Sequence, residues 1–219
     1  MTLAASADDR LLVAGAVPDG LTVAFAREPA DGAAVRFGDA LVGPSDLLVA
    51  PAGERVWRRS PWPAADDLFS LPLPGAGATT LVVEPVASHR DEAAAMLRDR
   101  GVDVAVAERL SRAELERAAT VVFLDDTAFP PLVPAVAAAG RLLILPAVEP
   151  LFGWQDGIDC LVGPDLARLA ELAALAGRRP RAFDPIRAMG RLTARPYRAS
   201  GLYSRLALDV SLGVGIGGA

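Results

Sequence analysis

ATVVFLDD (119–126), TAFPPLVPAVAAAG (127–140), RLLILPAV (141–148), EPLFGWQDG (149–157) and IDCLVG (158–163) together decide the fold. The first, third and last are short continuous apolar runs. Runs of that length bounded by turn residues are strands buried on both faces. The second run is rich in small residues, carries Pro130 and Pro131 where a first helical turn tolerates them, and stops at Gly140. Strand, helix, strand, loop, strand is the repeating unit of a parallel sheet.

The pattern extends in both directions. TTLVVEP (79–85) reads as a first strand, and SHRDEAAAMLRDRG (88–101) as a helix capped by Ser88, with Asp91 at the capping-box position and Gly101 as its stop. VDVAVAE (102–108) is the second strand. Ser111 and Glu114 form a capping box for SRAELERAA. Beyond the opening stretch, DLARLAELAALAG (165–177) is an amphipathic helix with leucines at 166, 169, 172 and 175. Strands alternating with helices over 79–205 predict an α/β, Rossmann-like parallel sheet with helices on both faces. From Pro180 onward the chain reads as broken helical pieces rich in Arg.

Ahead of this domain, residues 1–75 read as a small β-rich unit or as an added edge to the main sheet. RLLVAGA (10–16) and LTVAFARE (21–28) flank the turn signal Pro18-Asp19-Gly20. AAVRFG, DALVG and DLLVAPA follow. Residues 53–78 are expected to be irregular, because Pro61, Pro63, Pro72 and Pro74 forbid a continuous helix. Residues 206–219 are expected to be a flexible Gly-rich tail. Its glycines imitate a dinucleotide-binding loop without the strand and helix such a loop needs.

Composition removes several kinds of chemistry. All 22 basic residues are Arg. Without Lys there is no complete Walker A loop and no lysine Schiff base. One Cys and one His exclude an internal disulfide and the usual Cys/His zinc sites. The absence of Lys beside abundant Ala, Arg and Gly fits a GC-rich genome. A net charge of −5 argues against a general nucleic-acid binder. No signal peptide and no membrane span are read, so a cytoplasmic location with at most peripheral membrane contact is expected. No metal or cofactor is expected. The first strand is not followed by G-x-G-x-x-G, which counts against NAD, FAD or a typical SAM site.

Ligands of open parallel sheets sit beyond the carboxyl ends of the strands. Those ends supply the candidate ligand-binding residues: Glu84, His89 and Arg90 after the first strand, Asp125, Asp126 and Thr127 after the third, and Glu149 after the fourth. Arg90 near a helix N-terminus suits a phosphate. His89 is either a base or a solvated surface residue. Asp125 and Asp126 are adjacent, so extended backbone points them to opposite sides; either one meets a ligand while the other caps the helix starting near Phe129, or their role is helix capping alone. A second candidate surface is Trp57, Arg58, Arg59 and Trp62, suited to an anion, a sugar ring or a partner protein; alternatively the tryptophans pin a loop while the arginines reach water.

The order of elements resembles a known family. Residues 79–205 look like the C-terminal, donor-binding half of a GT-B glycosyltransferase of the retaining, nucleotide-sugar type. The resemblance rests on FLDDTAFPPLVPAVAAAG, GRLLILPAV, WQDGIDCLVG, DLARLAELAALA and GRLTARPYRAS in that order, and DDLFSLPLPG (66–75) is similar to the inter-domain entry found there. It implies a nucleotide sugar as the small-molecule partner. The family's two helix-flanking glutamates fall on Thr127 and Ala135, neither acidic, and its phosphate-binding Lys is absent. Its Arg has a counterpart at most in Arg90, and its acceptor domain is absent or reduced to residues 1–75. Two functions follow from the resemblance: a glycosyltransferase-like protein that binds a nucleotide sugar or related phosphate ligand, or a degenerate homologue that serves as a binding or assembly subunit. The second expects a protein partner or a homo-oligomer.

Overall fold

The computed structural model describes residues 21–25, 36–37, 40–41, 47–51, 58–60, 63–75, 79–84, 86–108, 110–124, 129–147 and 153–211. The expected strand at 10–16 and residues 212–219 lie outside them. The chain divides into two compact units, Met1–Asp66 with Pro196–Ala219, and Asp67–Arg195.

In the first unit, strands β1 (Leu21–Phe25), β4 (Leu47–Pro51) and β5 (Arg58–Ser60) form an antiparallel sheet in the order β1-β4-β5. Strands β2 (Arg36–Phe37) and β3 (Ala40–Leu41) form a separate antiparallel pair. Among the described residues the β-rich segment thus forms its own sheets rather than an edge of the parallel one. Arg58 pairs with Val49 and Arg59 with Leu48, so part of the stretch expected to be irregular is a strand. Helix α6 (Ala199–Ser211) packs on β4. It covers six residues, 206–211, of the stretch expected to be a flexible tail. Asp66 holds its start, accepting from the Ser200 hydroxyl at 3.1 Å.

The second unit is a five-stranded sheet in the order β10-β9-β8-β6-β7, built from β6 (Thr79–Val83), β7 (Val104–Ala107), β8 (Ala118–Phe123), β9 (Leu142–Pro146) and β10 (Leu161–Gly163). Every neighbouring pair is parallel. Numbered within the unit the order is 2-1-3-4-5, one of the two common doubly wound arrangements. Three helices join the strands, α1 (Ala87–Asp99), α2 (Arg112–Arg117) and α3 (Phe129–Ala138), and two more follow the last strand, α4 (Leu166–Arg178) and α5 (Asp184–Thr193).

Alternation along the strands divides the core. Val82, Val122, Leu142 and Ile144 meet Ala93 and Leu97 of α1 and Leu169, Ala173 and Ala176 of α4 in one apolar cluster. Helices α3 and α5 pack on β9 and on each other. Apolar side chains on both faces of a strand require cover on both, and this arrangement supplies it. In α4 the leucines are only one edge of the seam. Leu175 is exposed, and the buried face is completed by Ala170, Ala173, Ala174 and Ala176. Small side chains let the helices come close. Gly190 in α5 marks a close backbone approach, where an added Cβ would stand 2.8 Å from the Asp159 carbonyl oxygen.

Two helix starts differ in how they are held. The capping box of Ser111 and Glu114 forms as the sequence predicts, in both directions. Helix α1 instead begins at Ala87 after Val86, with no side-chain cap, and Ser88 lies inside its first turn. The physical reason is Glu84: its Oε1 accepts the Val86 N–H at 2.7 Å and turns the chain into the helix before Ser88 is reached.

Gly140 takes φ +69° to end α3, and the next residue, Arg141, is buried. Its guanidinium donates to the carbonyls of Leu115 (2.8 Å), Pro72 (3.0 Å) and Glu116 (3.2 Å). Arg191 donates to the Leu71 carbonyl at 2.8 Å. Two arginines thus fix the 71–72 segment within this unit. Desolvation, then the charges of Arg191 and Arg187, lowers the Arg141 pKa to about 10.

Cys160 is fully buried beside Asp159. Burial, then the negative charges of Asp159 and Asp156, pushes its thiol from 9.0 up to about 12. The folded state thus holds the neutral thiol over a range in which the unfolded chain ionises. Stability is intact below pH 9 and falls as pH rises from 9 toward 12. Arg141 acts in the opposite sense, but only above about pH 10. Between pH 9 and 10 urea unfolding is expected to show a loss of about 1 kcal/mol in the parent that Cys160→Ala lacks. Equal losses in both would contradict this assignment.

Candidate functional site

In a 2-1-3-4-5 sheet the connections leave the first and third strands in opposite directions, and the crevice between their carboxyl ends is the switch point where ligands bind. Here those strands are β6 and β8, paired in parallel up to Val83 and Phe123. The residue that follows Val83 is Glu84.

Glu84 is completely buried. Its backbone N–H donates to the Ala107 carbonyl at 3.1 Å, which continues the β6–β7 ladder by one residue. Its carbonyl accepts from Arg90 Nη1 at 2.8 Å. One carboxyl oxygen takes the Val86 N–H, while Oε2 has no hydrogen-bond partner among the described residues. A buried carboxyl oxygen left without a donor costs about 1–3 kcal/mol or more. Glu84 is the acid among the described residues in that condition.

The turn beyond it is short. Val86 is extended and precedes α1, whose first turn receives no side-chain cap. The first amides of this 13-residue helix therefore face the same end of the sheet, with the partial positive charge of a helix N-terminus. His89 lies in that turn and is exposed. Arg90 is half-buried and committed to the Glu84 carbonyl, so it braces the turn rather than standing free in solvent. The structure thus brings Glu84, His89 and Arg90 into one strand-to-helix turn.

The remaining predicted residues are placed differently or not at all. Asp125, Asp126, Thr127 and Glu149 lie outside the described residues, as do Trp57 and Trp62. Arg58 and Arg59 are on strand β5. Ala135 is fully buried within α3, whose residues from Val133 to Ala138 are enclosed, so that position carries no polar group to a ligand. Among the described residues no group of three His, Cys, Asp or Glu could hold a metal ion.

Sequence reasoning missed what makes Glu84 distinctive. Its position at a strand end was readable; the imbalance between its two oxygens was not. The one available signal was the acid itself at the end of the apolar run TTLVV, where an uncompensated carboxyl group has no packing role.

No protein-family model and no curated protein matches this sequence. Among solved structures, that of TarM, a glycosyltransferase, is similar, with a TM-score of 0.43 and 12% identity over 67% of this chain and 37% of that one. The chain thus spans little more than a third of that protein's length.

If the carboxyl group serves a ligand rather than the fold, its charge is dispensable for stability. Glu84→Gln keeps an oxygen for Val86 and removes the charge, so urea unfolding should give a stability equal to the parent's or higher by up to about 1 kcal/mol. A loss above about 2 kcal/mol would make Glu84 a structural anchor.

Proposed function

We propose that this chain is a glycosyltransferase-like protein that binds a nucleotide sugar, or a related phosphate-bearing ligand, at the carboxyl ends of β6 and β8. The observation that carries this reading is the buried carboxyl group of Glu84 with one oxygen unpartnered among the described residues. Such an oxygen is completed by a ligand that donates, as sugar and ribose hydroxyls do. The uncapped first turn of α1 beside it offers amides to a phosphate. One ligand carrying both hydroxyls and phosphate suits both halves of the turn. The resemblance of residues 79–205 to a donor-binding domain supports the same class of ligand.

Transfer of the glycosyl group would need an acceptor-binding surface in addition to this donor site. Ala135 favours a second reading. With its side chain enclosed in α3, that position offers no acid to a donor. A homologue that has lost the chemistry and acts as a binding or assembly subunit accounts for this.

A thermal-shift screen against UDP-, GDP- and ADP-sugars separates the two. A donor present at a hundred times its Kd should add about 2.7 kcal/mol of stability, and Glu84→Ala should lose most of that gain. No shift with any nucleotide sugar, together with a stable hetero-complex on pull-down, would overturn the first reading in favour of the second.

A further inference from the structure

Helix α5 is built inside out. Its buried residues are Arg187 and Gly190, and Ile186 and Arg191 are half-buried. Pro185, Ala188, Met189 and Leu192 are exposed, Met189 by 42% and Leu192 by 46%. Their offsets of three, four and seven residues from Pro185 place these four on one face, and that face meets water. The inversion has a packing cause. Only glycine at 190 lets the helix approach the Asp159 carbonyl, and that contact fixes which side turns inward.

The charge around this stripe is equally one-sided. Residues 178–195 contain six arginines and a single acid, Asp184. Arg187 and Arg191 are the inward pair, and Asp184 is bound to Arg187 at 2.9 Å. Arg178, Arg179, Arg181 and Arg195 are exposed. Arg181 precedes α5 and Arg195 follows it, so exposed arginines flank the helix at both ends. The whole chain carries a net charge of −5, which makes this basic stretch a local exception.

We propose that this face of α5 docks onto an anionic lipid surface, with Met189 and Leu192 entering the headgroup boundary and Arg178, Arg179, Arg181 and Arg195 meeting lipid phosphates. An apolar stripe on an amphipathic helix bracketed by arginines is the pattern of interfacial binding. No helix among the described residues is long and apolar enough to cross a membrane, so α5 would lie in the surface rather than insert through it. The charge selects this occupant. A second copy of the chain would set like-charged arginine clusters against one another, and a neutral apolar partner would leave them without counter-charge. The proposal is independent of the ligand site at β6 and β8.

Co-sedimentation of the full chain with vesicles tests it. Binding is expected to equimolar phosphatidylcholine and phosphatidylglycerol, to weaken as salt is raised, and to be absent with phosphatidylcholine alone. The triple change Arg178→Gln, Arg179→Gln, Arg181→Gln should reduce binding roughly a hundredfold, at about fivefold for each arginine near an anionic surface. Met189→Ser with Leu192→Ser should also reduce it. The thermal midpoint should be unchanged in both, since every altered residue is exposed. Absence of binding to the anionic vesicles at low salt overturns the proposal, and the salt titration of the parent decides it even where a variant misfolds. Equal binding to neutral vesicles overturns it as well. So does a dimer that the serine pair abolishes while vesicles are ignored, or binding to nucleic acid in place of lipid.

Discussion

Both faces of the central strands have to be covered, and most of this structure answers that constraint. Val82, Val122 and Ile144 turn one way; Leu81, Val121 and Leu143 turn the other; all are buried. The chain has few aromatic residues with which to build cover, so it uses alanine and close approach. Helix α3 is enclosed from Val133 to Ala138, and α4 buries four alanines beside two leucines. Packing of that kind leaves little room for polar groups. Two of those that are admitted, Arg141 and Glu84, stand at opposite ends of the strands and do different work.

At the amino end of β9, Arg141 resolves a problem of backbone. Its three carbonyl partners leave the chain at Pro72, Leu115 and Glu116, and without its guanidinium these acceptors would lose their partner at a buried site. Desolvation pulls its pKa down, which is the cost of holding a charge there. At the carboxyl end, Glu84 is satisfied through one oxygen only. The contrast separates structure from function. A fully partnered buried charge explains itself as architecture, whereas a half-partnered one on the switch point asks for something to complete it.

The fold was largely legible because its signals are local. Gly101 and Gly140 stop helices where the sequence says they should, both in the left-handed region. Ser111 and Glu114 form their box. The misreadings came from longer reach. Ser88 lost its capping role to Glu84, which sits before the helix and acts through the Val86 amide. Arg141 gave no sequence signal, since its partners lie 25, 26 and 69 residues away. Helix α5 has a regular apolar face that periodicity alone would turn inward, and the Gly190 contact turns it outward. In the site, strand-end reasoning found Glu84, His89 and Arg90, but partner counts belong to three dimensions.

The most direct measurement is hydrogen–deuterium exchange of the full chain with and without a saturating nucleotide sugar. Binding at the switch point predicts slowed exchange confined to residues 84–90 and 120–124, with the strand ends of β6 and β8 responding together. Unchanged exchange across both segments, or protection only elsewhere, would contradict the account.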